Sequence, residues 1–204
     1  MEILPSGSAA VLVELDHLDD VLALYAALRA EPPTGVVDLV PAARTLLLVL
    51  DRSRTDPVTV ARAVREARPR HGDAGEGELV EIPVTYDGED LEDVARLLGC
   101  PAQEVVTQHS GALWTVAFCG FAPGFGYLTA DCGQWDMPRR ASPRTRVPPG
   151  SVALAGEFSG VYPRESPGGW QLIGRTEVAV FDLDRDPAAL LRPGVRVRFV
   201  QVGP

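Results

Sequence analysis

Three segments in the second half of the chain combine residue types suited to holding a small anion or a carbonyl compound. The first runs from Phe118 to Leu128 and packs three Gly, one Pro and four aromatic residues into eleven positions. Glycine tolerates positive φ and close backbone approach, while proline fixes its own φ. Gly120, Phe121, Pro123, Gly124, Phe125 and Tyr127 therefore predict a shaped loop that turns N–H groups and aromatic walls toward a bound molecule. The same composition also suits a rigid barrel corner. The spacing of Gly120, Gly124 and Gly126 is not that of a dinucleotide-binding loop.

The second segment, Pro138 to Ser151, carries Arg139, Arg140, Arg144 and Arg146 among Pro and hydroxyl residues. A guanidinium grips carboxylate or phosphate with a planar fork, and Pro restricts the loop that presents it. Arg144 is the favoured anion contact, with Arg139 beside it; the other reading is a solvated loop paired with nearby acids. In the third segment, Gly168-Gly169 signals a turn, Trp170 opens a strand, and Arg175 is a second candidate anion contact. Gly168, Gly169 and Trp170 would line the same hollow, or simply form a tight hairpin. His109 shares helical spacing with Val105 and Val106. That pattern fits a hydrogen-bonded core histidine, or a general base if the ring reaches the cleft beside the Gly/Phe loop.

Composition removes several classes of chemistry. All 19 basic residues are Arg, and the chain has neither Lys nor Asn. There is thus no phosphate-loop lysine, no Schiff-base lysine and no biotinyl lysine. The net charge is −9 and the isoelectric point about 4.8, which disfavours nucleic acid as a partner. The basic residues are unevenly placed. Residues 81–137 hold nine acids and one Arg, whereas residues 138–204 hold six acids and ten Arg. Such a local excess suits an anion site within an acidic protein. Cys100, Cys119 and Cys132 form no C-x-x-C pair, which suits reduced thiols and a cytoplasmic location. His17, His71 and His109 lack ligand spacing, so no metal site is expected. No apolar run approaches the ~20 residues of a membrane span, and no secretory leader is expected.

The elements that must position these residues fall into two groups. Residues 1 to about 80 read as β-α-β-β-α-β: a strand near Ala9–Leu15, a helix from Leu18 capped by Asp16, strands at Gly35–Val40 and Thr45–Leu50, a helix from about Asp56 with Pro57 in its first turn, and a strand at Leu79–Val84. That order predicts a small ferredoxin-like α/β domain over residues 1–84. Residues 70–77 read as a linker or long turn. Two short helices follow, stopped by Gly99 and opened by Pro101. Beyond Leu113, short apolar runs at Trp114–Phe118, Ser151–Ala155, Gln171–Ile173, Val178–Phe181 and Val195–Val200 predict a β-barrel or sandwich over residues 85–204. The fold class is therefore α+β.

Taken together, the motifs resemble the family of the 5-oxoprolinase B-type subunit, also described as allophanate hydrolase subunit 1 or the Kip-type kinase inhibitors. The matching residues are Gly120-Phe121-Ala122-Pro123-Gly124-Phe125 with Tyr127-Leu128; Pro138-Arg139; Pro143-Arg144 with Val147-Pro148; Gly150-Ser151-Val152; Gly160-Val161-Tyr162-Pro163; and Ser166-Pro167-Gly168-Gly169-Trp170 with Ile173-Gly174-Arg175-Thr176. Glu81-Ile82-Pro83-Val84 with Tyr86, and His109-Ser110, also resemble it. Cys119 and Trp114 depart from it, replacing an aliphatic residue and a Tyr. The resemblance implies a cyclophilin-like barrel after the small domain, without prolyl isomerase chemistry. It implies a component, inactive alone, that joins an A-type subunit and a cyclophilin-like C-type subunit to open 5-oxoproline to glutamate at the expense of ATP. ATP would be bound by the complex, at a site not located in this chain. His109, Arg144 and Ser151 are then the candidate catalytic residues: Arg144 and Arg175 for a carboxylate or phosphate, His109 or Ser151 to orient a proton or a water. Two alternatives share the fold: an inhibitor of a sensor histidine kinase, and a carboxyltransferase half acting on urea or a related amide.

Overall fold

In the computed structural model, which describes residues 1–69, 78–132 and 135–203, the chain divides into two units, Met1–Gly75 and Glu76–Pro204. The expected linker at 70–77 lies outside the described residues, as does His71.

The first unit contains β1 (Glu2–Ser6), β2 (Ala10–Glu14), α1 (Leu18–Ala30), β3 (Val36–Pro41), β4 (Thr45–Leu50) and α2 (Pro57–Glu66). Its four strands form an antiparallel sheet in the order β1-β2-β4-β3. Alternation decides which face is buried: Val11, Val13, Leu46, Leu48 and Leu50 turn toward Val21, Leu24, Leu28, Val60 and Val64 of the two helices. Asp56 caps α2, accepting the N–H groups of Val58 at 2.9 Å and Thr59 at 3.0 Å, and Pro57 follows it. At α1 the expected cap is displaced by one residue. His17, not Asp16, stands at the cap position, and it makes no side-chain cap bond.

The sheet keeps the strand order of a split βαβ unit, but its edge is filled differently from the sequence expectation. The seat beside β2, expected for Leu79–Val84, is taken by β1, which folds back on β2 through a turn at Gly7. An edge strand also accommodates Pro5, which has no N–H to donate. The order is thus β-β-α-β-β-α, not ferredoxin-like β-α-β-β-α-β.

Leu79–Val84 (β5) instead pairs in parallel with β13 (Arg196–Gln201) over six residues. It is held there because Ile82 and Val84, on one face, are fully buried in the second unit. The expected boundary after residue 84 is therefore corrected: the units part near residue 75.

The second unit continues with α3 (Leu91–Leu98), α4 (Ala102–Gly111), β6 (Trp114–Cys119), β7 (Gly126–Ala130), β8 (Arg144–Val147), β9 (Ser151–Ala155), β10 (Phe158–Val161), β11 (Ser166–Gly168) and β12 (Gln171–Arg175) before β13. Seven strands run in the order β12-β9-β10-β7-β6-β13-β5, and β8 and β11 form a separate ribbon. Just beyond β5, Thr85 and Arg175 exchange two backbone hydrogen bonds of 2.9 Å. That bridge brings the two edges of the sheet together into a nearly closed barrel. Gly174 makes the seam possible, since a Cβ there would lie 2.6 Å from the Thr85 carbonyl oxygen. The strand expected at Val178–Phe181 is reduced to an isolated bridge between Phe181 and Ala189.

Every strand of the seven-stranded sheet sends residues into one apolar cluster, which is the barrel interior, and α3 and α4 add Val94, Ala95 and Val105 to it. A second cluster, with Phe125, Tyr162, Trp170 and Leu172, uses the opposite face of the wall. Along β9, Val152 and Leu154 belong to the first cluster, Ala153 and Ala155 to the second.

Candidate functional site

The second cluster contains most of the residues singled out by sequence. The loop after β6 closes on itself: Gly120 N–H donates to the Phe125 carbonyl at 3.2 Å, Ala122 N–H to Gly120 at 2.7 Å, and Phe125 N–H to Ala122 at 3.0 Å. These three donors are therefore spent inside the loop. Gly124 lies at φ +80°, where a Cβ would press on Phe181. What the loop presents is Phe121. It is the one described non-glycine residue at positive φ, +67°, and its side chain is 58% exposed. Such strain in a bulky residue persists only where the surroundings impose it. The Phe121 ring meets Phe125 and Tyr162 edge-on, with centroids 5.4 and 6.2 Å away.

Behind Phe121 the wall is aromatic. Phe125 packs edge-on against Tyr127, Tyr162 and Trp170, with centroids 5.2 to 5.3 Å apart. Trp170 is buried, as the tight-hairpin reading required, and Gly168 lets the backbone touch the Tyr162 hydroxyl. Pro123 is exposed, and Gly169 accepts the Arg140 N–H on its carbonyl at 2.8 Å.

Arg139 completes the group. It is exposed and makes no ion pair or side-chain hydrogen bond among the described residues. Its charge acts on both phenols: burial raises the pKa of Tyr127 and of Tyr162, and Arg139 pulls each part of the way back.

The other arginines of the 138–151 segment, and Arg175, are committed. Arg144, the favoured anion contact, forks onto Asp90 with Nη1 to Oδ2 and Nη2 to Oδ1, both at 2.9 Å, and reaches Glu89 at 3.0 Å. Arg140 Nη1 bonds the same Asp90, and the Leu172 backbone N–H donates to Asp90 at 2.7 Å. Asp90 is 1% exposed. Burial works to raise its pKa, but the Arg144 fork, the Leu172 N–H and the two guanidinium charges outweigh it, and the carboxyl stays below its usual range. Arg146 pairs with Glu165, and Arg175 with Asp87 and Glu177. Arg144 and Arg175, expected as anion contacts, are held by acids of the 81–137 stretch and, for Arg175, by Glu177 as well.

His109 takes the first of its two expected places, that of a hydrogen-bonded core histidine. It is fully buried, Nδ1 lies 2.8 Å from the Tyr86 hydroxyl, Nε2 lies 2.9 Å from Ser159, and the ring stacks on Phe199 at 4.5 Å. Burial lowers its pKa to about 3, so it is neutral and belongs to the interior, not to the cleft. Ser151 is buried and donates to the Pro148 carbonyl at 2.8 Å, which commits its proton to a turn.

One participant, Asp90, escaped the sequence reading. Asp90 stands at the start of α3, where an Asp ordinarily caps the helix, yet it makes no cap bond. The signal was the opposed charge of residues 81–137 and 138–204.

The result is a buried aromatic cluster of Phe125, Tyr162 and Trp170, beside which half-buried Tyr127, exposed Phe121 and the open Arg139 guanidinium reach the surface of the barrel. Chemically, it fits a small flat molecule bearing a carboxylate.

Comparison with known proteins agrees with this architecture. The model of the carboxyltransferase domain, subdomain C and D, matches residues 1–191. The B subunit of 5-oxoprolinase from Escherichia coli O157:H7 is 42% identical over 174 residues, covering 81% of this chain and 78% of that protein. The protein of the same name from Bacillus subtilis (strain 168) is 37% identical over 197 residues, covering 89% and 82%. Among solved structures, TTHA0988 is 39% identical with a TM-score of 0.76; 96% of this chain is covered, and the chain spans 40% of that one. Urea carboxylase from Kluyveromyces lactis, at 18% identity and TM-score 0.75, shares the fold; all of this chain is covered, against 23% of that one. With a match running from residue 1 to residue 191, through the Arg-rich segment and all of the barrel but its last strand, the chain belongs to the carboxyltransferase subdomain C and D family, among the relatives named as the B subunit of 5-oxoprolinase.

Proposed function

We propose that the chain is the B-type subunit of an ATP-dependent 5-oxoprolinase, which opens 5-oxoproline to glutamate together with an A-type subunit and a cyclophilin-like C-type subunit. The observation that carries this reading is the likeness to relatives of that name over about four fifths of both chains. The site's chemistry supports it. 5-Oxoproline is a flat five-membered lactam with one carboxylate. Arg139 holds the carboxylate, and the Tyr127 hydroxyl helps to fix the orientation of the ring. Phe121 covers the outer face.

The arrangement is half a site. Phe121 and Arg139 are exposed, and the loop's donors are largely spent within it, so the groups that stabilise charge on the lactam oxygen come from a partner. That division makes the chain inactive by itself. ATP is a substrate of the whole complex. The chain has no Lys and no phosphate loop, and the ATP site belongs to a different component. Reconstitution with the A-type and C-type subunits, followed by assay of glutamate, tests the reading.

A second reading, a carboxyltransferase half acting on urea or a related amide, is favoured by the family's own description. It demands a biotinylated partner. Carboxyl transfer that depends on such a partner, without glutamate formation, would select it.

A further inference from the structure

We propose that Asp90 is a positioning residue that sets the Arg139 guanidinium beside the Tyr127 and Tyr162 phenols. The proposal rests on the reading of Arg139 as the carboxylate-holding group. Both chain neighbours of Arg139 are fastened to the same short stretch. The Pro138 carbonyl accepts Gln171 Nε2 at 2.9 Å, and the Arg140 N–H donates to the Gly169 carbonyl at 2.8 Å. Beside those two anchors, the Trp170 ring meets the Tyr127 ring edge-on with centroids 5.4 Å apart, and Gly168 lies against the Tyr162 hydroxyl. Cation and phenols are therefore registered against residues 168–171.

Asp90 fixes that stretch from the next residue. Its carboxylate accepts the Leu172 N–H at 2.7 Å, and its own N–H donates to the Leu172 carbonyl at 2.9 Å. The same carboxylate holds Arg140 and Arg144, on either side of the Pro-containing loop that follows Arg139. One buried acid thus ties the strand that places Tyr162 to the loop that places Arg139. The arrangement is kept against a local cost, because Arg140 Nε is buried without a hydrogen-bond partner.

The test uses the reconstituted complex. Asp90→Asn keeps the size of the side chain and an acceptor for Leu172, but it removes the charge that holds both guanidiniums. It should raise KM for 5-oxoproline about tenfold and change kcat by less than about twofold, the loss of one well-placed charged contact. Combined with Arg139→Ala, it should add nothing to the KM of Arg139→Ala alone. A wild-type KM with only a lower Tm, or KM effects that multiply, would overturn the proposal. Should Asp90→Asn fail to fold, Arg140→Met makes the same comparison.

Should the wild-type complex release no glutamate, the functional reading fails, and the isolated full chain still decides the positioning. The 13Cζ tyrosine resonances of Tyr127 and Tyr162 should move in Asp90→Asn as they do in Arg139→Ala, and stay in place in Arg96→Ala, which breaks a surface pair with Asp93. Unmoved resonances in Asp90→Asn would overturn it.

Discussion

Arg144 closes both terminal nitrogens of its guanidinium on the Asp90 carboxylate, each at 2.9 Å, in a setting where Asp90 is almost wholly buried. The pair converts the most receptor-like arginine of the chain into a strut between the start of α3 and β8. It leaves Arg139, earlier in the same segment, as the cation open to a ligand.

Removal of the acid should be costly. Asp90→Ala strands two guanidiniums and the Leu172 N–H, and breaking a buried pair in this way costs about 3–5 kcal/mol. Urea denaturation of the isolated chain should show that loss as a lower midpoint. A change below about 1 kcal/mol would mean that the pair is solvated, as exposed ones are.

His109 makes stability depend on pH. Its pKa falls from 6.5 unfolded to about 3 folded, so between those values the unfolded chain binds the extra proton. Stability from this group is complete above pH 6.5 and declines by about 1.4 kcal/mol per unit as pH falls toward 3. Asp90, whose folded pKa is lowered, adds to the loss only below the normal carboxylate range. Urea midpoints between pH 7 and pH 4 should fall in the wild type and flatten in His109→Gln. Equal slopes would contradict a neutral, buried imidazole.

The seam of the barrel should reject a methyl group. Gly174→Ala places a Cβ 2.6 Å from the Thr85 carbonyl oxygen, against backbone that cannot swing aside. We expect a loss of about 1–3 kcal/mol, the usual cost of overpacking. Amide exchange at Thr85 and Arg175, which bridge the seam, should accelerate; unchanged exchange would show that the edges are not joined there.

The open and the committed arginines should separate in kinetics. In the complex, Arg139→Ala should raise KM for 5-oxoproline by at least about tenfold, from the loss of a charged hydrogen bond. Arg175→Ala and Arg146→Ala, whose partners are surface acids, should stay within about twofold. The reverse ranking would move the carboxylate site to the β12 end.

The barrel was legible because its strands carry strong local signals: Ser151–Ala155 is apolar throughout, and Val197 and Phe199 alternate with Arg196 and Arg198. The N-terminal helices were legible from apolar spacing. The assignment of Leu79–Val84 was not, because an alternating strand carries no label for its partner; pairing with a strand more than a hundred residues later is decided by long-range burial. β1, with a Pro inside and five residues long, gave too weak a periodic signal to read as a strand.

The site shows the same division. The Gly/Phe loop and Trp170 were marked by composition, whereas the fate of each arginine depended on which acid lay opposite it. An Asp at a helix start looks like a cap, so Asp90 concealed its pairing. His109 carried both readings until its two nitrogens were found bonded to Tyr86 and Ser159.

The central claim is most directly tested by omission. The A-type and C-type subunits are purified and assayed for glutamate formed from 5-oxoproline and ATP, with and without this chain. The account predicts release only when all three are present, and none from the chain by itself. Release at the same rate in its absence would contradict it.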